Sequence, residues 1–215
     1  MGIINQGILG AVRKKVGNVV GASWKGIPVL KIYQPVVSNP KTAAQVTVRT
    51  GFKAFAQLAS LILASYIKPL WDRNAVRMSG YNAFMKANAE FIADGSSPFD
   101  VEFVATKGKM DATAITSGSA SASGITLNWD SSATSRYALP EDKPYVLALN
   151  VTQGTVAFAG LAGSAAKRSD GTVTIAAAAL MNAITSGDDL DVYLSFQRSD
   201  ATIVSDSDSA TITAA

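Results

Sequence analysis

The apolar residues of this chain change their spacing sharply near residue 96. Between Asn39 and Ala93 they recur at steps of three and four, the period of a helix face. From Ser97 onward they alternate with polar residues, or run in short blocks separated by Gly, Ser, Asn and Asp. That is the habit of antiparallel strands. The chain is therefore expected to be α+β, with an extended N-terminal arm, then helices, then strands.

Asn39 with Pro40 is a helix-opening pair. The first helix is expected to run to about Lys68, where Pro69 stops it. Val48, Phe52, Phe55, Ala59, Ile62 and Tyr66 form its apolar stripe, and Gln45, Arg49 and Lys53 recur at four-residue steps on another side. Ser79 caps a second helix over 80–93, with Tyr81, Phe84, Asn88 and Phe91 as its stripe and Gly95 closing it. The two helices are expected to pack as a hairpin. Strands are predicted in FDVEFVATKG, SGITLNWD, YVLALNVTQGTVAFAG, GTVTIAAAAL, DLDVYLSFQRS and SATITA. Their spacing predicts an antiparallel, immunoglobulin-like β-sandwich with Trp129 in its core. The low-complexity stretch TSGSASASG, 116–124, is read as a mobile or edge loop. Two domains follow: an extended basic arm plus helical hairpin over 1–96, and a β-sandwich over 97–215.

The arm itself, GILGAVRKKVGNVVGASWKGIPVLKIYQPVV, carries β-branched residues and glycines without a helical stripe. It reads as short extended pieces joined at Gly7, Gly10, Gly17, Gly21 and Gly26, and Pro28 and Pro35 suit edge or arm positions. Such a segment has little core and must dock on something. Trp24, bracketed by Gly21 and Gly26 and followed by Lys25, reads as an anchor of the kind found at interface hot spots.

Charge divides the chain as sharply as periodicity does. Residues 1–110 hold 14 Lys/Arg against 5 Asp/Glu, residues 111–215 hold 5 against 11, and no acidic residue precedes Asp72. A basic face of this kind meets nucleic acid, a membrane headgroup layer or the acidic half of a neighbouring copy. The opposite charge within the same chain favours the neighbouring copy. Arg13, Lys14, Lys15, Trp24, Lys25 and Lys31 are the candidate partner-binding residues.

The sequence holds neither cysteine nor histidine. Thiol nucleophiles, disulfides, Cys/His zinc sites and imidazole bases are thereby excluded. Glu occurs only at Glu90, Glu102 and Glu141, each in a structural setting, so enzyme chemistry is not expected. GASWKGI lacks the order of a phosphate-binding loop, and Asp188-Asp189-x-Asp191 and Asp206-x-Asp208 lack the EF-hand pattern. No cofactor and no metal are expected. No apolar run is long enough to span a bilayer, and the start lacks the charge-then-apolar order of a signal peptide. The chain is therefore expected not to be secreted by a standard signal.

Several motifs stand together in the first half: N-x-G-I-L-G, K-V-G-N-V-V-G-x-S-W-K-G-I, N-P-K-T-x-x-Q-x-x-x-R-x-x-F and G-Y-N-A-F-M-K-A-N. They fall on Asn5 to Gly10, Lys15 to Ile27, Asn39 to Phe52, and Gly80 to Asn88. In these the chain resembles an uncharacterised family of bacterial and phage proteins of about this length. Ala11-Val12-Arg13-Lys14 stands where members often have a Gly/Ser-rich stretch, which makes this arm more basic. The resemblance carries no activity, but it implies a setting: a structural virion subunit, of accessory, connector or tail type, that assembles with copies of itself and other virion proteins. The alternatives are a cytoplasmic, nucleic-acid-associated basic protein, or a carbohydrate-binding sandwich using Tyr137 or Tyr145.

Overall fold

β-branched residues and glycines at the start of the chain build a small antiparallel sheet. The structure is a computed structural model that describes residues 2–3, 13–24, 27–36, 38–131 and 137–215. β1 (Gly2–Ile3), β2 (Lys14–Val16), β3 (Val19–Trp24) and β4 (Ile27–Ile32) lie in the order β1-β4-β3-β2. Gly17, at φ 60°, and Asn18 turn the chain between β2 and β3, a left-handed position that favours glycine. Packing divides the molecule into two units, Met1–Thr42 and Ala43–Ala215. The sequence composition changes near residue 96, but the packing divides the chain between Thr42 and Ala43.

The second unit opens with α1 (Ala43–Leu61), a π-helical turn over Leu63–Ile67, and α2 (Lys68–Trp71). The helix starts beyond Asn39, and Pro69 does not stop it. Pro69 sits in the first turn of α2, where a missing N–H leaves no bond unmade. The break falls earlier: the path bends by 69° between α1 and the segment from Leu63 to Trp71. The bend lets Ile62, Tyr66, Ile67 and Leu70 all point into one core, each 1% exposed or less.

The second expected helix is also divided, into α3 (Gly80–Ala87) and α4 (Ala89–Asp94). Its ends are as the sequence predicts: the Ser79 hydroxyl accepts from the Asn82 N–H, and Gly95 closes α4 at φ 76°. The division falls at Asn88. Its buried amide donates to the Phe84 and Val104 carbonyls and accepts from the Val104 N–H, tying the helices to the loop that follows. α1 crosses α4 at Gly51, where a Cβ would stand 2.5 Å from the Ile92 carbonyl oxygen.

The strands are β5 (Ile115–Ser121), β6 (Gly124–Trp129), β7 (Lys143–Asn150), β8 (Thr155–Leu161), β9 (Thr172–Ala176), β10 (Asp189–Gln197) and β11 (Asp208–Thr213). They form a four-stranded sheet, β11-β10-β7-β8, and a three-stranded sheet, β5-β6-β9, with antiparallel pairing throughout. The inner strands of the four-stranded sheet, β7 and most of β10, are buried on both faces. Tyr145, Leu147, Leu149 and Tyr193 pack under the helices. Val146, Ala148, Val192, Leu194 and Phe196 face Ile125, Leu127, Trp129 and Ile175 of the other sheet. This is why YVLALN reads as an unbroken apolar run.

Two expectations about the C-terminal strands also change. TSGSASASG is not a loop: most of it is β5, at the edge of its sheet. FDVEFVATKG forms no strand, although Phe103 and Ala105 are buried as alternation predicts. Side chains take the place of a ladder there, with the Val104, Thr106 and Gly108 N–H groups donating to Asn88, Ser207 and Asp206. Among the described residues no single helix is long and apolar enough to cross a membrane.

Candidate interaction surface

Strand pairing sorts the candidate residues of the arm onto two faces. Val16 lies opposite Val19, and Val19 opposite Ile32, so these three make one row across β2, β3 and β4. They are 62%, 36% and 83% exposed, an apolar row open to solvent. The neighbouring row is Lys15, Val20 and Lys31, on the opposite face because side chains alternate. Lys15 also places its ammonium 3.5 Å from the centre of the Tyr33 ring, a cation–π contact. The sheet thus brings Lys15 and Lys31 together and puts Lys14 on the apolar face, in the left-handed backbone region at φ 68°.

Arg13 is exposed just before β2. Trp24 ends β3 opposite Ile27, and Lys25 lies outside the described residues. Only Gly21 and Val29 are buried among the described residues of this unit.

A second surface lies on the helices. Residues 43–50, the first two turns of α1, are exposed on every side. Val46, Val48 and Phe52 are exposed together with Arg49 and Lys53. The apolar stripe predicted from the sequence is buried only from Phe55 onward.

The third surface is acidic. On β10 and β11, Asp189 faces Thr213, Asp191 faces Thr211 and Tyr193 faces Ser209. The Thr213 hydroxyl donates to Asp189 at 2.8 Å, the Thr211 hydroxyl to Asp191 at 2.7 Å, and the Ser209 hydroxyl to Glu102. These carboxylates, with Asp100, line a groove of about 560 Å³ that also holds Phe99, Val101 and Val151. A cavity of about 310 Å³ adjoins it at Glu102, Tyr193 and Ser209. Burial raises the Tyr193 phenol, whose oxygen accepts from the Phe103 N–H, so it stays a neutral wall of the groove. The alternation of acids on β10 and hydroxyls on β11 is visible in DLDVY and DSATIT. Only their pairing makes it a stripe.

Several other polar groups tie the backbone or each other. Arg168 is buried, pairs with Asp142 at 3.2 Å and lies 3.9 Å from the centre of the Phe196 ring. Burial lowers its pKa, and Asp142 opposes the shift. Asp188 accepts from Asn150, Gln153 and the Thr185 backbone, and the backbone bond heads the causes that hold its carboxyl below the usual range. Asp206 and Asp208 accept from the Gly108 and Ile115 N–H groups. Among the described residues no group of three or more acidic side chains is placed to hold a metal ion. Tyr145 lies in the core, 8% exposed, whereas Tyr137 is at the surface.

The chain therefore offers surfaces of opposite charge and exposed apolar rows among its described residues. No curated protein matches it, and no solved structure does. A family model described as a family of unknown function, DUF6266, matches residues 10–210, and the chain belongs to that family.

Proposed function

We propose that this chain is a non-enzymatic structural subunit that works by assembling, and that its N-terminal sheet is the docking element. The observation that carries this reading is the exposed row Val16, Val19 and Ile32 on a sheet that buries only Gly21 and Val29 among its described residues. A small sheet with so little buried among its described residues gains stability from whatever covers it. The setting we propose is a phage virion, with the chain as an accessory, connector or tail-type subunit. Its support is the motif resemblance and the pairing of a basic arm with a sandwich-like body. The immunoglobulin-like reading of that body draws on the four- and three-stranded antiparallel sheets that share one core around Trp129.

A second reading, nucleic-acid association, draws on Lys15 and Lys31 lying on one face. It requires binding that falls steeply with salt and depends on those two residues.

Light scattering on the full-length protein and on a Val19→Asp, Ile32→Asp variant tests the first reading. The full chain is expected to form large species, and the variant to remain folded but small. Equal, monomeric sizes in nucleic-acid-free buffer would reject assembly through this sheet.

A further inference from the structure

We infer that this protein pairs with a second copy through the free edge of β9, joining their three-stranded sheets into one continuous sheet about a two-fold axis at Thr174. The contact lies within the second unit and does not depend on the N-terminal sheet.

The ladder fixes which backbone groups are free. Beyond its two ends, the Trp129 N–H donates to the Gly171 carbonyl and the Ala177 N–H to the Ser123 carbonyl. Backbone groups along a strand alternate in direction, so those of Val173 and Ile175 also face β6. The N–H and C=O groups of Thr172, Thr174 and Ala176 therefore point the other way. Among the described residues nothing bonds to them, and all three residues are exposed.

Other edges of these sheets are closed or interrupted. The Met181 N–H and the Asn182 amide donate to the Ala157 and Val156 carbonyls of β8. β5 meets β11 where Ala120 bridges Ala214, and its register shifts between Ile115 and Ser117. Charges, prolines and bulges are the devices by which edges avoid pairing. β9, TVTIA, has none of them. No charged residue stands anywhere between Asp170 and Asp188.

The occupant is a second copy because this edge is complementary to itself. With Thr174 antiparallel to its twin, Thr172 of each copy lies opposite Ala176 of the other. Every outward N–H and C=O of these residues then has a partner. A slip by two residues leaves Thr172 or Ala176 unpaired. A slip by one turns the buried faces of the two sheets to opposite sides. In the paired register Val173 lies opposite Ile175 on the buried face. On the exposed face Thr174, already hydrogen-bonded to Thr126 at 3.1 Å, extends that row across the axis. The contact is isologous and closes at two copies.

A residue on a two-fold axis meets itself, which makes the test sharp. The full chain carrying Val19→Asp and Ile32→Asp lacks the proposed N-terminal contact, and is expected to sediment as a dimer. Adding Thr174→Lys, or separately Thr174→Glu, is expected to weaken that dimer at least about tenfold, because like charges then face each other. Mixing the Lys and Glu variants is expected to restore it. A monomeric starting chain overturns the inference, and so does a dimer indifferent to both charges or weakened without rescue on mixing. If the unaltered chain and the Val19→Asp, Ile32→Asp chain are both dimers, N-terminal docking falls and this contact stands.

The chain has no cysteine, so cross-linking reads the register directly. Residues opposite each other in such a pair stand about 5.5 Å apart at Cα, within reach of a disulfide. Thr174→Cys is expected to cross-link to itself on oxidation. Thr172→Cys is expected to do so only when mixed with Ala176→Cys. A Thr174→Cys chain that gives no more dimer than Thr172→Cys alone overturns the inference.

Discussion

At the scale of single residues, this protein uses its polar side chains mainly to tie backbone. Asn88 joins two helices to a loop, and Asp188 gathers four donors from three residues at one end of β10. The costliest such device is Arg168, enclosed by Asp142, Thr113, Met110 and the Phe196 ring. Replacing Arg168 by Met leaves Asp142 buried without its cation, a loss of about 3–5 kcal/mol. Adding Asp142→Leu is expected to recover much of that loss, because the desolvated charge is then gone. Urea unfolding of the single and double variants reads both effects. A double variant no more stable than the single one would mean that Arg168 acts through its other partners. A buried Arg is not legible in the sequence, where Lys167-Arg168-Ser169-Asp170 looks like a solvated turn.

At the scale of elements, the question is which signals survive packing. The Ser79 cap and the Gly95 stop survive because both are satisfied within a few residues. Gly51 shows a signal that propensity alone would misread. In isolation Gly51→Ala should favour the helix by about 1 kcal/mol. Here the new Cβ would stand 2.5 Å from the Ile92 oxygen and 2.8 Å from the Gly95 Cα, both backbone atoms. Forcing α1 off α4 costs about 1–3 kcal/mol, so sterics win. The variant is expected to unfold at lower temperature, and a rise in its melting point would show that the crossing can give way. β5 is the opposite case. TSGSASASG has poor strand propensity, yet Ala120 is 3% exposed and Gly118 leaves no room for a Cβ beside Ile212. Small residues are what that close approach demands.

At the scale of the whole molecule, the two hydrophobic clusters formed by the described residues lie between Phe55 and Ala214. A chain beginning at Ala43 therefore keeps both, and is expected to fold with the melting cooperativity of the full protein while losing the self-association that we propose for the N-terminal sheet. Scanning calorimetry with light scattering checks the two halves of that statement. A truncated chain without a cooperative transition would place the first 42 residues in the core rather than at an interface. The charge division has the same scale: the basic surface precedes Asp72, and the acidic groove belongs to the strands.

The sequence by itself determined what is periodic or local. It placed the helices and most strands, the caps at Ser79 and Gly95, Trp129 in a core, and the division of charge. Tertiary structure decided what depends on partners distant in the chain. Alternation at Phe103 and Ala105 predicts burial correctly, but a strand exists only where another strand supplies its hydrogen bonds, and side chains supply them there instead. Pro69 forbids a bond only inside a helix, and the bend at Ile62 puts it at a beginning. Lys14 and Lys15 are neighbours in sequence and lie on opposite faces in the sheet. Asp189 and Asp191 become a stripe only because β11 lays its hydroxyls beside them, a register that two separate stretches of sequence share and neither one contains.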